Sequence, residues 1–288
     1  MFALCTSTLV DTVFCGRTSS KGLLRHLEPV NENAAHPVSE RWITSLESAV
    51  AKGRKSLAVL VDPDRIKASS DLDWMSGPGF EAVHTVLLGG SLVTEGSMDA
   101  VASWIRERTD APIVLFPGSP NQLTAEADAL LFLSVISGRN PDALIGKHVE
   151  AATHVRELGL DAVGCGYMLI DGGKTTTAHY MSGTLPIPGD KPDIAAATAL
   201  AGHYLGQQCM YLDTGSGAPQ PVSAEMIAAV RAAVPCPVIV GGGMTTPDDV
   251  MDAWAAGADL AVVGSAIERD PQFLQAFAAQ DTPAERRG

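Results

Sequence analysis

The sequence predicts a closed (β/α)8 barrel. Two observations point to it: eight short apolar runs rich in β-branched residues, and helical patterns between most of them. The runs cover residues 57–61 (LAVLV), 82–88 (AVHTVLL), 112–116 (PIVLF), 129–133 (ALLFL), 162–170 (AVGCGYMLI), 209–213 (CMYLD), 237–240 (PVIV) and 259–263 (DLAVV). Runs that are apolar almost without interruption suit parallel strands covered on both faces. A chain of 288 residues fits one such barrel. A doubly wound open sheet is the alternative architecture.

The elements follow in chain order. Residues 1–37 read as a loosely ordered extension; MFALCTSTLVDTVFC has no basic leader, and Asp11 interrupts its apolar run, so a signal peptide is not expected. Residues 38–53 form an extra helix before the first strand, and the barrel domain runs over 38–280. The connection PDRIKASSDLDWMSGPGFE is weakly helical, which predicts an irregular barrel after strand one. In SAEMIAAVRAAV, Met226, Ile227, Val230 and Val234 share a helical face, and Ser223 caps it while Glu225 complements the dipole. In TTPDDVMDAWAAG, Thr246 caps, Pro247 takes the first helical position and Gly257 terminates. Residues 281–288 read as a frayed tail.

Composition bounds the partners. With 20 basic against 33 acidic residues, the net charge of −13 disfavours nucleic acid and anionic membranes as main partners. The five cysteines are odd in number and show no Cys-x-x-Cys pair, as expected of reduced thiols in a cytoplasmic protein. No apolar run approaches a membrane span.

Barrel enzymes carry their chemistry where strands end. The segments just past the runs are DPDR, GGS, PGS, DGGKTTT, DTGSG, GGGM and GSA. Glycine lets main-chain N–H groups approach an anion closely, and a following helix N-terminus adds its positive dipole. Glycine turns after strands six, seven and eight therefore point to one phosphate group. A P-loop is excluded at DGGKTTT, because its spacing needs glycine where Met168 stands. Lys174 remains a rim cation for a second anionic group, or a solvated loop lysine. Asp62 and Asp64 are Mg²⁺ candidates with Ser91 on the neighbouring strand, although DPD is also a good turn. Asp213, an acid beside a phosphate cradle, suits a base acting on a nearby hydroxyl. His84, His148, His154 and Cys165 read as packed or solvated residues.

These segments carry a resemblance. YLDTGSGAPQPVS, VIVGGGM, AVVGSAIE, LVDPDR, LLGGSLVT, GYMLIDGGKTTT and MSGTLPIPGDKPDIAAATALAG, in order over residues 57–265, resemble the geranylgeranylglyceryl phosphate synthase family. The resemblance implies a (β/α)8 enzyme that joins the C3 hydroxyl of sn-glycerol 1-phosphate to a polyprenyl diphosphate with Mg²⁺, giving an ether-lipid precursor. It implies Asp62 and Ser91 as metal positions. It implies glycerol phosphate binding by Tyr211, Leu212, Asp213, Thr214, Gly215, Ser216, Gly217, Gly242, Gly243, Gly264 and Ser265. One position departs from the family, which usually has glutamate where Asp213 stands. A homo-oligomer and transient membrane contact are expected with this reading. The competing readings are a phosphosugar isomerase on the same cradle and a non-catalytic phospho-ligand-binding barrel.

Overall fold

The computed structural model describes residues 41–278. The expectations for 1–37 and 281–288 lie outside the described residues. Eight strands close a parallel barrel in sequence order. They are β1 (Ser56–Val61), β2 (Val83–Leu88), β3 (Ile113–Leu115), β4 (Ala129–Val135), β5 (Asp161–Leu169), β6 (Cys209–Asp213), β7 (Val238–Gly241) and β8 (Leu260–Val263). Each falls on one of the apolar runs, and β1 pairs with both β2 and β8, so no edge is left open. The open-sheet alternative is thereby excluded.

The helices are α1 (Trp42–Ala51), α2 (Met98–Arg106), α3 (Lys147–Leu158), α4 (Thr177–Ser182), α5 (Pro192–Tyr204), α6 (Ala224–Ala233), α7 (Pro247–Ala256) and α8 (Ser265–Arg269). Alternation is broken twice. Between β1 and β2 the chain makes three 3-10 segments, Pro63–Arg65, Ser69–Ser76 and Phe80–Ala82, as the weak helical pattern predicts. Between β3 and β4 there is no helix, because Pro117, Gly118 and Pro120 interrupt any helical start. The buried Gln122 side chain organises that loop, its Oε1 accepting from the amides of Gly118 (3.0 Å) and Gly90 (3.4 Å). The capping expectations hold: Ser223 Oγ accepts from Met226 N, and Thr246 Oγ1 from Asp249 N.

Strand alternation sorts side chains into two layers. Leu57, Val59 and Val61, with Met210 and Leu212, face the surrounding helices. Ala58, Leu87, Val114, Leu131, Cys165, Tyr211 and Ile239 fill the barrel interior. The extra helix α1 joins the interior cluster through Trp42, Ile43 and Leu46. Trp42 is buried, and its indole Nε1 donates to Thr85 Oγ1 at 2.9 Å. That bond satisfies the indole N–H, which would otherwise be stranded in an apolar core, while Thr85 Oγ1 also pairs with His84 Nδ1 at 2.8 Å.

Removing this plug should be costly. Trp42→Ala is expected to destabilise the protein by ~3–5 kcal/mol in urea unfolding, as large-to-small core changes do. Trp42→Phe keeps most of the volume and removes only the bond to Thr85, whose hydroxyl keeps His84 Nδ1 as a partner, and should cost only ~1–2 kcal/mol. Equal effects of the two substitutions would show that the hydrogen bond, not the packing, dominates.

Candidate active site

Because all eight strands are parallel, Val61 of β1 and Asp213 of β6 end at the same mouth of the barrel. The sequence-predicted residues after β1, β2, β6, β7 and β8 therefore share one rim.

Asp213 is the last residue of β6, and it points inward. It is 6% exposed. The Tyr167 hydroxyl donates to its Oδ2 at 2.6 Å, and the Gly215 amide donates to its Oδ1 at 2.6 Å. Burial raises the carboxyl above its ordinary value of 3.8; the hydrogen bonds from Tyr167 and Gly215 offset part of that rise. Beneath it, Phe116, Tyr167 and Tyr211 pack as an aromatic floor, with Phe116 and Tyr211 stacked at 5.1 Å between ring centroids and Tyr167 edge-on to both.

The glycines at this rim are needed sterically. A Cβ at Gly242 (φ +81°) would lie 2.6 Å from Asp213 Oδ1, from Gly215 N and from Thr214 Oγ1. A Cβ at Gly215 (φ +86°) would run into Thr176 Oγ1 at 2.2 Å. Gly242 thus sits at the focus of the carboxylate, an amide and a hydroxyl. The Thr214 hydroxyl is fully buried and has no partner among the described residues. Gly243 packs on the main chain of Gln220, while Ser216 and Gly217 are exposed. Gly264 caps α8, which begins at Ser265, on the β8 side of the same mouth. The Leu212 side chain faces the outer helical layer and takes no part in the rim.

The segment DTGSG has no lysine in sequence, yet one arrives from the neighbouring loop. Gly172 comes so close to Thr214 that a Cβ would lie 2.7 Å from the threonine Cβ. That approach carries the 171–174 turn across, and Lys174 Nζ lies 3.6 Å from the Cβ position of Gly217. Lys174 belongs to the β6 turn.

Asp62 and Asp64 separate cleanly. Asp64 Oδ1 accepts from the amides of Glu95 and Gly96 at 3.0 and 2.7 Å, and Oδ2 from the amide and hydroxyl of Thr94 at 2.9 and 3.0 Å. The amide bonds from Glu95 and Gly96, ahead of that from Thr94, hold its carboxyl far below the usual carboxylate range. Asp64 is thus a clamp that fastens the β2 loop onto the β1 loop, which corrects its candidacy as a metal ligand. Asp62 is less committed. Its Oδ1 accepts from Asp64 N at 3.1 Å, and its Oδ2 lies 3.7 Å from Arg65 Nε. Burial raises its carboxyl, with the Asp64 amide and Arg65 offsetting the rise incompletely. Gly90, next to Ser91, is its neighbour: a Cβ there would lie 3.3 Å from Asp62 Oδ1. Arg65 also reaches Glu268 of α8, tying the β1 and β8 loops together.

A cavity opens on the β2–β5 side of the rim. Phe116, Leu133, Val135, Ala143, Ala178 and Met181 wall it with apolar surface, while Gly90, Ser91, Gly118 and Lys147 gather at a polar end. Tyr167, which holds Asp213, lines it too.

Two residues of this site are not read from the sequence. Tyr167 could have been found, since it lies on the run 162–170 two residues before Leu169, and alternation places it on the inward face. His179 carried no signal. Its Nδ1 accepts from the Thr176 amide at 3.1 Å, so the neutral ring bears its proton on Nε2, which is buried without a partner among the described residues. Burial lowers its affinity for a second proton, against the pull of the Asp213 and Asp171 charges. The three histidines read as packed or solvated are so: His84 pairs with Thr85 Oγ1, His148 packs edge-on to Phe132, and His154 lies exposed beside Glu157.

The raised carboxyl makes a stability prediction with a definite sign. A folded-state value above the unfolded one favours the protonated fold, so the stabilisation is full below about 3.8 and is lost as pH rises through the folded-state value. Asp213→Asn removes the buried charge but keeps partners for Tyr167 and Gly215. It should raise the melting temperature at pH 8 by about 2–4 °C, the response of a domain this size to ~1 kcal/mol. The gain should shrink towards pH 4; a gain independent of pH would mean the charge is not its source.

The PcrB family's sequence pattern matches residues 50–281. The chain is 49% identical over 236 residues to the geranylgeranylglyceryl phosphate synthase of Spirosoma linguale, covering 82% of this chain and 95% of that protein. It is 40% identical over 219 residues to the synthase of the same name from Thermococcus gammatolerans, covering 76% and 86%. Its fold matches the crystal structure of (S)-3-O-geranylgeranylglyceryl phosphate synthase from Thermoplasma acidophilum in complex with substrate sn-glycerol-1-phosphate, with a TM-score of 0.78, 26% identity, and coverage of 83% of this chain and 98% of that one. A family pattern spanning the whole barrel, relatives near half identity and a matching closed barrel converge on one assignment: this chain belongs to the PcrB family.

Proposed function

We propose that the protein is a prenyltransferase that joins the C3 hydroxyl of sn-glycerol 1-phosphate to a polyprenyl diphosphate, geranylgeranyl diphosphate being the expected donor. The products are diphosphate and an ether-lipid precursor. The observation that carries this reading is the buried Asp213 carboxylate, which borders a glycine-lined anion cradle and is held by Tyr167, itself a wall of a largely apolar cavity that includes Ser91. Small phosphosugar chemistry has no use for such a cavity.

In this reading the phosphate of the acceptor rests against the Gly215–Gly217 and Gly242–Gly243 turns and the start of α8. The free Thr214 hydroxyl and Lys174 add a donor and a charge. Tyr211 floors the site. The C3 hydroxyl then faces Asp213. As its oxygen bonds to C1 of the prenyl chain, the C1–O bond breaks, the electron pair leaves with diphosphate, and the proton passes to Asp213. Burial favours that proton on the carboxyl, while the Tyr167 and Gly215 hydrogen bonds fix its orientation. The aspartate is shorter than the family's glutamate, and the 2.6 Å bond from Tyr167 keeps it pinned in one position.

Asp62 and Ser91 fit a Mg²⁺ ion. Asp62 is a half-buried carboxylate whose charge Arg65, at 3.7 Å, only partly offsets. Mg²⁺ commonly uses one or two carboxylates together with substrate phosphates. Among the described residues no three acidic, histidine or cysteine groups converge into a cage. The ion would supply positive charge against the departing diphosphate. Exposed Tyr204 and Leu205 at the end of α5 support a homo-oligomer, and exposed Tyr180 and Leu185 near the Met181 side of the cavity support transient membrane contact. No helix among the described residues is long and apolar enough to cross a membrane. The cysteine pattern supports a cytoplasmic location.

Incubating purified protein with labelled glycerol 1-phosphate and a series of prenyl diphosphates tests the reading; no ether product with any donor would refute it. Asp213→Asn should lower kcat by about 10²–10⁴-fold with little change in KM, as loss of a general base does. A change confined to KM would mark Asp213 as a binding residue. Asp62→Ala should abolish transfer while leaving glycerol 1-phosphate binding by calorimetry nearly intact; unchanged turnover would remove Asp62 from the metal site.

A further inference from the structure

Lys147 is the one basic side chain lining the cavity. It opens α3 directly after a single π-helical turn, Asp142–Gly146, a distortion that recurs at functional sites. Ala143 in that turn and Lys147 after it both line the cavity. Lys147 is half-buried. Its Nζ donates to the Gly118 carbonyl at 3.0 Å and forms no ion pair among the described residues. An ammonium has three donors, so two remain unused by side-chain or main-chain partners. A partly desolvated charge without a counter-charge is unfavourable, and the chain retains it in a cavity whose lining is mostly apolar.

The surroundings of Lys147 say what would satisfy it. Gly118 lies against the β2 loop so closely that a Cβ would come within 2.5 Å of the Ser91 carbonyl and 2.6 Å of the Gly90 carbonyl. Gly90 in turn touches Asp62. Lys147, held at the Gly118 carbonyl, therefore stands beside the Gly90–Ser91 stretch of the cavity lining, which itself borders Asp62. Lys174 lies elsewhere, its Nζ beside Gly217 of the β6 turn. A ligand with a long apolar body and a multiply charged anionic head, lying along this cavity, would place its head at Lys147.

We propose that Lys147 binds the diphosphate head of the prenyl donor, as a fixed cation of the chain's own beside Asp62 and Ser91. The proposal rests on the prenyl-transfer reading. Its alternative is a purely structural lysine that anchors α3 to the β3 loop through Gly118.

Lys147→Met and Lys147→Arg in the full chain separate the two. Lys147→Met is expected to raise KM for the prenyl diphosphate about tenfold or more, since a hydrogen bond to a charged group is lost. KM for glycerol 1-phosphate should stay within about twofold. Calorimetric binding of inorganic diphosphate, which needs no turnover, should weaken in step, and Lys147→Arg should recover most of both effects. A structural anchor predicts instead a lower melting temperature and equal movement of both KM values, and that result would overturn the proposal. So would an unchanged donor KM in Lys147→Met. If wild-type protein transfers no prenyl group, the prenyl-transfer reading fails; inorganic diphosphate then decides Lys147 alone. Binding that Lys147→Met retains, or that wild-type protein lacks, would overturn the assignment.

Discussion

Everything at the mouth of this barrel is organised around one buried carboxylate. Asp213 is removed from water and held on both oxygens, by the Tyr167 hydroxyl from the adjacent strand and by the Gly215 amide of its own turn. Neither bond exists without the barrel. Tyr167 reaches Asp213 because β5 and β6 pair in a register that sets Tyr167 beside Tyr211 and Leu169 beside Asp213. Gly215 reaches it because its φ of +86° folds the chain back at once. Gly242, just past the end of the next strand, must then lack a side chain, since any Cβ would strike the carboxylate it faces. The glycines that read as a phosphate cradle are thus equally the space that an inward-facing acid requires.

An acidic protein that handles anionic substrates must supply positive potential locally. With a net charge of −13, long-range attraction does not help. The rim answers with short-range devices: main-chain amides, an unpaired threonine hydroxyl, and lysines brought in from loops distant in sequence. Lys174 crosses from the β5 loop to Gly217, and Lys147 comes from α3 to Gly118. Each is placed by a glycine that lets two backbones approach more closely than side chains would allow. The acidic groups nearby are similarly allotted. Asp64 fastens loops, Arg65 bridges Asp62 and Glu268, and Asp62 keeps an oxygen without a close donor.

The barrel was legible because strands buried on both faces leave an apolar run with little ambiguity, and all eight runs became strands. The missing helix between β3 and β4 was legible too, in Pro117, Gly118 and Pro120, although the regular alternation obscured it. Within the site, residues that act through the end of their own strand were found: Asp62, Ser91, Asp213 and the turn glycines. What escaped depends on register or on side chains crossing between elements. Tyr167 matters only through its pairing with β6, and His179 only because α4 tucks its ring beside the Gly215 turn. Asp64 looked equal to Asp62 in sequence. Their difference arises from Thr94, Glu95 and Gly96, about thirty residues away, whose donors saturate one carboxylate and leave the other.

The central claim is that burial, partly offset by Tyr167, tunes the Asp213 carboxyl. It is tested most directly by ¹³C NMR titration of carboxyl-labelled aspartate in the wild-type protein and in Tyr167→Phe. The Asp213 signal should titrate above its ordinary value of 3.8 in the wild type and higher still once the phenolic hydrogen bond is gone. A midpoint at or below 3.8 that ignores the loss of the Tyr167 hydroxyl would contradict the account.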